Sequence, residues 1–160
     1  EAGMLTVHTS GGREMLRQAV QAAREEAALL GIRPPLLLGV TVLTSLTQTD
    51  LAELGLAAQL REIVVRWARL AQEAGLDGVV ASAREAKALR LAFGSDLVIV
   101  TPGIRPGGTS ADDQRRIATP REALKSGASY LVVGRPVTQA LDPRAAVQQL
   151  LQELGETGGE

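Results

Sequence analysis

The sequence predicts an α/β fold with a parallel sheet. Short apolar runs alternate with helical patterns along the whole chain. The runs are continuous rather than alternating, as expected of strands covered on both faces. The last two end abruptly in Gly and Arg, which places polar chemistry at strand C-terminal ends.

The runs fall at residues 4–7, 36–42, 78–81, 97–100 and 130–133. Between them, Leu60, Ile63, Val64, Trp67, Ala68 and Ala71 recur at helical spacing and predict one buried helix face. Ser82-Ala83-Arg84-Glu85 and Thr119-Pro120-Arg121-Glu122 are capping-box helix starts, the second with Pro at its first position. Asp142-Pro143 opens the final helix in the same way. Gly31, Gly75, Gly94, Gly127 and Gly155 stand where a glycine would stop each helix. The reading is one domain over residues 1–155, with 156–160 a frayed tail. Five strand–helix units could form a doubly wound sheet. A (β/α)8 barrel takes roughly 200–250 residues or more, about three units beyond these. Glu1-Ala2-Gly3 reads as the end of a helix, so the chain reads as starting within a fold.

Composition narrows the function. Hydrophobic residues make up 45% of 160, enough for a real core. The net charge of −1 argues against charge-driven nucleic-acid binding. There is no cysteine, which excludes disulfides and thiolate zinc sites. No run approaches about 18 apolar residues and no signal peptide is visible, so a soluble cytoplasmic protein without membrane contact is expected.

Gly134-Arg135 follows a strand and precedes a helix. Glycine lets a backbone approach an anion and arginine forks onto phosphate oxygens, so the pair reads as a phosphate site in preference to a turn glycine with a surface arginine. Arg105 ends the preceding strand in the same manner. Gln114 lies in a polar loop over 107–116, long enough to close over a ligand or to be a solvated charge run. Thr44-Ser45 closes the second strand, where the hydroxyls could read a ligand edge or cap the helix near Asp50. His8, the single histidine, reads as a hydrogen-bonded structural residue. Lys87 and Lys125 fall within helices, away from the strand ends, and neither is placed to act as a catalytic ammonium.

Six stretches, in order, resemble the bacterial type of the orotidine 5′-monophosphate decarboxylase family. They are Thr6-Val7-His8-Thr9-Ser10-Gly11-Gly12, Gly39-Val40-Thr41-Val42-Leu43-Thr44-Ser45, Gly75-Leu76-Asp77-Gly78-Val79-Val80, Val100-Thr101-Pro102-Gly103-Ile104-Arg105-Pro106, Asp113-Gln114-Arg115-Arg116 and Gly134-Arg135-Pro136-Val137-Thr138. The resemblance implies a (β/α)8 barrel, of which these residues supply about the last five βα units. It implies a homodimer that converts orotidine 5′-monophosphate to uridine 5′-monophosphate and CO2, in pyrimidine biosynthesis, with no metal or organic cofactor. By the same resemblance Thr44 contacts the substrate, Arg105, Gln114, Gly134 and Arg135 bind the nucleotide, and Ser45 is a secondary pyrimidine contact. Gln114 would lie on the lid, with Gly134 and Arg135 at the phosphate. The family's catalytic Asp-x-Lys-x-x-Asp segment occurs nowhere in this sequence, and motif order places it upstream of Glu1. Its lysine would stabilise the carbanion-like charge at C6 and then protonate it. The competing expectations are a related sugar-phosphate barrel enzyme and a non-catalytic phosphate-binding module.

Overall fold

The computed structural model describes residues 2–106 and 118–155. Five strands, β1 (Met4–His8), β2 (Leu36–Val40), β3 (Gly78–Val80), β4 (Val98–Thr101) and β5 (Tyr130–Leu131), form one sheet. Every pair is parallel, and the spatial order is the chain order, β1-β2-β3-β4-β5. The helices are α1 (Gly12–Leu29), α2 (Gln48–Glu53), α3 (Leu60–Glu73), α4 (Ala83–Phe93), α5 (Pro120–Lys125), α6 (Arg135–Thr138) and α7 (Pro143–Gly155), with a 3-10 turn at Thr9–Gly11 before α1.

The strand order decides between the two α/β architectures. A doubly wound sheet reverses its order at a switch point and carries helices on both faces. Here the order never reverses, and right-handed crossovers then put every connecting helix on the same face. The core follows this geometry. Leu37, Val79 and Ile99 from the strands pack with Leu16 and Val20 of α1, Ile63, Val64, Ala68 and Ala71 of α3, and Leu89 of α4. A second cluster joins Ala83, Ile104, Ala123 and Ala128. The alternate strand residues occupy the opposite face, away from the described helices of this core. Register sets His8, Val40, Val80, Val100 and Tyr130 in one row across it, and Tyr130 is 48% exposed.

Local chemistry accounts for the elements. The predicted face of α3 is the buried one, with Leu60 and Trp67 packed at its margin. Thr119 and Glu122 form the expected reciprocal capping box, with Pro120 in the first turn of α5. The carboxyl of Glu122 is held below its usual range, first by the Thr119 N–H and then by the Thr119 hydroxyl. Asp142 caps α7 by accepting from the N–H groups of Arg144 and Ala145. Ser82 departs from the expected box. Its oxygen accepts from Arg84 N–H, while its hydroxyl donates to the Glu85 carboxylate at 2.6 Å. Gly127 sits at φ 102°, and a Cβ there would lie 2.5 Å from Arg90 Cγ, so only glycine fits between α5 and β5. Gly155 is the last residue of α7 and lacks the positive φ of the other helix-stopping glycines. The tail 156–160 lies outside the described residues.

β2, β3 and β5 run shorter than expected, whereas β1 extends one residue further to His8 and β4 is shifted by one to Val98–Thr101. β2 stops at Val40, although Thr41 N–H still bonds Val80 O. β5 is limited to Tyr130–Leu131: its last bond to β4 runs from Val132 N–H to Thr101 O, and Gly103 at φ 76° then turns the β4 chain away.

Candidate functional site

In a parallel sheet all strand C-terminal ends lie on one side. Thr44, Arg105 and Gly134-Arg135, which follow β2, β4 and β5, therefore share one end of the fold. Beyond β4, Gly103 at φ 76° turns the chain, and Ile104 makes an isolated parallel bridge with Ala118. Arg105 N–H donates to Ala118 O at 3.0 Å and Ala118 N–H to Gly103 O at 3.3 Å. Beyond β5, Gly134 leads into α6, and its carbonyl accepts from Val137 and Thr138 N–H.

These two turns enclose a cavity of about 330 Å³, lined by Gly103, Arg105, Val132, Gly134, Arg135 and Thr138 among others. Its size lies at the small end of ligand sites. Among the described residues, two guanidinium-bearing residues line it and no carboxylate-bearing residue does. Arg105 is only 9% exposed. Among the described residues no carboxylate lies within ion-pair distance of Arg105. A buried cation is stabilised by a nearby negative charge, and none of the described residues supplies one, so an anion would suit this cavity. Gly134 has open space where a Cβ would project, which leaves its backbone accessible from the cavity side. The geometry suits a phosphate-sized anionic group held by forked N–H donors.

The structure thus brings together three of the sequence-derived candidates, Arg105, Gly134 and Arg135. Thr44 is 8% exposed and stands in the loop after β2, apart from this cavity's lining; Ser45 is exposed nearby. Neither caps α2. That role belongs to Thr47, whose hydroxyl accepts from Asp50 N–H while the Asp50 carboxylate accepts from Thr47 N–H. The Thr47-Gln48-Thr49-Asp50 spacing was the missed signal. Gln114 and the 107–116 lid lie outside the described residues. His8 is exposed at the end of β1, an edge strand of this sheet, and the hydrogen bond expected of its imidazole is not seen among the described residues. Lys87 and Lys125 lie on α4 and α5, as expected, and are exposed. One buried hydroxyl, Thr101 Oγ1 at the end of β4, has no partner among the described residues. The corresponding hydroxyls of Thr9 and Thr41 donate to the next strand, at Val40 O and Val80 O. No described helix is long and apolar enough to cross a membrane.

A sequence model of the orotidine 5′-phosphate decarboxylase / HUMPS family matches residues 1–150. The chain is 55% identical to the orotidine 5′-phosphate decarboxylase of Moorella thermoacetica, over 94% of this chain and 60% of that protein. It is 53% identical to the enzyme of the same name from Heliobacterium modesticaldum, over 96% and 63%. A crystal structure of orotidine 5′-phosphate decarboxylase from Lactobacillus acidophilus superposes with a TM-score of 0.76 at 37% identity, covering 92% of this chain and 61% of that one. The Pyrococcus horikoshii enzyme, at 23% identity and TM-score 0.62, shares the fold. These neighbours are (β/α)8 barrels, and the five βα units here are part of such a barrel. The face away from these helices is its interior. The chain spans about 60% of the length of the curated relatives it matches.

Proposed function

As this chain belongs to the orotidine 5′-phosphate decarboxylase / HUMPS family, we propose that the protein carrying it removes CO2 from orotidine 5′-monophosphate to give uridine 5′-monophosphate. The single observation that supports the reading most is the cavity between the β4 and β5 turns, with Arg105 and Arg135 in its wall and Gly134 beside them. In this reading the two guanidinium groups hold the 5′-phosphate, remote from the bond that breaks. Their binding energy positions the pyrimidine and carries the cost of ordering the site. The C6–carboxylate bond breaks, its electron pair stays on C6, and a proton then fills that position. Acid and ammonium groups for that step belong to the Asp-x-Lys-x-x-Asp segment, which is absent from these residues. Thr44, Ser45 and Gln114 complete the proposed substrate contacts. The homodimer and the cytoplasmic location belong to the same reading, and sedimentation of the full-length protein tests the former.

Arg135→Ala in the full-length protein separates this reading from a generic surface arginine. Removing one charge-assisted contact costs about 1.5–3 kcal/mol, roughly 10- to 150-fold in affinity. Calorimetry should show that loss for uridine 5′-monophosphate and almost none for uridine, with orotidine 5′-monophosphate turnover reduced in parallel. Equal losses for both ligands would place Arg135 elsewhere, and a full-length protein without decarboxylase activity would remove the reading altogether.

A further inference from the structure

The strand register fixes where His8 faces. On one side of it, Val7 packs against the helix-side core. On the other, Thr9 Oγ1 donates to Val40 O and lies 2.9 Å from where a Cβ on Gly39 would sit, against Ala71 of α3. Side chains alternate along a strand, so His8 stands on the opposite face. It is the last residue of β1, at the same end of the sheet as Arg105 and Gly134-Arg135. Its neighbours in the row are Val40, Val80 and Val100, none of which can hydrogen-bond a ligand through its side chain.

The mouth of this face is therefore chemically divided. Cations gather on the β4–β5 side, and a single imidazole, carrying both a donor and an acceptor when neutral, stands on the β1 side above an apolar floor. Three strand spacings separate β1 from β4, about 14 Å along the sheet, which a nucleotide and two inward-reaching side chains together span. We propose that His8 is a ligand-contacting residue that hydrogen-bonds the nucleoside part of the nucleotide whose phosphate lies at Arg105 and Arg135. This rests on the nucleotide reading of that cavity. The apolar floor receives the flat face of the base, and His8 supplies the polar contact that fixes its rotation.

The test uses the full-length protein with ring-labelled histidine, the His8 signal being identified by its loss in His8→Gln. Uridine 5′-monophosphate should move that signal saturably, while inorganic phosphate should bind without moving it. His8→Ala should weaken uridine 5′-monophosphate about 2- to 10-fold, the size of one neutral hydrogen bond. His8→Gln, whose amide reaches the place of Nε2, should recover most of the loss. A ring signal that stays still while uridine 5′-monophosphate saturates the protein, or an undiminished affinity in His8→Ala, overturns the assignment and leaves the phosphate site intact. A shift caused by phosphate alone moves His8 to the anion and overturns its placement. Failure of the unaltered protein to bind uridine 5′-monophosphate removes the nucleotide reading itself, and this inference with it.

Discussion

Replacing Arg90 by alanine tests how the framework beneath the site is held. Its guanidinium joins the end of α4 to the turn that feeds β5. Nε donates to Gly127 O at 2.8 Å, Nη1 to Leu97 O at 2.6 Å, and Nη2 to Ser129 Oγ at 2.7 Å, while Gly94 O and Ser95 O share Nη1 at longer range. The bonds to Gly94, Ser95 and Ser129 are exposed, and water replaces them at little cost. The bonds to Leu97 O and Gly127 O are partly buried, and each is expected to contribute about 1–2 kcal/mol. The loss should be about 2–4 kcal/mol in the full-length protein, and at roughly 2–4 °C per kcal/mol for domains of this size the melting temperature should fall by about 4–16 °C. Lysine cannot reproduce the fork, so Arg90→Lys should recover less than half. Calorimetric scans and urea midpoints should agree. A midpoint within about 1 °C of the parent for Arg90→Ala would mean that the five bonds merely replace hydration, and the reasoning would fail.

Two further perturbations act on α5 and on the floor of the sheet. Thr119→Ala removes the cap of α5 and should cost about 1 kcal/mol in urea unfolding. Because the folded-state pKa of Glu122 is lowered from 4.5, its contribution is whole above that value and is lost as pH falls through the depressed pKa. Stability profiles of the parent and Glu122→Gln should therefore converge in acid, and parallel curves down to low pH would contradict the cap. Gly39→Ala places a methyl 2.9 Å from Thr9 Oγ1 and 3.0 Å from Ala71 Cβ; over-packing of this kind costs about 1–3 kcal/mol, and an unchanged melting temperature would show that α3 yields freely.

Much of this was legible in the residues. The alternation of apolar runs and capped helices gave five parallel strands in their right places, since strand propensity and cap chemistry are local. The choice between barrel and doubly wound sheet was not legible locally, because it depends on which strands become neighbours. The lengths of β2, β3 and β5 were overestimated for the same reason: Val133 is as β-prone as Leu131, but the register would pair it with Gly103, where β4 has already turned away. At the site, Arg105 and Arg135 were found because charge after a strand is conspicuous. Their shared cavity needs the parallel register of β4 and β5 and could not be read from spacing. Thr47 was missed beside the more conspicuous Thr44-Ser45, although its distance from Asp50 satisfied the capping rule already applied at Thr119.

The bridge between Ile104 and Ala118 has an evolutionary reading. It fastens both ends of the connection between β4 and α5 before that connection begins, and it fixes the backbone of Arg105 through Ala118 O. The closure entropy of what lies between grows only slowly with length, about 0.6 kcal/mol for each doubling. Insertions, deletions and wholesale replacement of residues 107–117 are thus insulated from the barrel wall and from the cation at its rim. The bridge therefore works as a clasp: the sequence between its ends can change while the backbone of Arg105 stays where Ala118 O holds it.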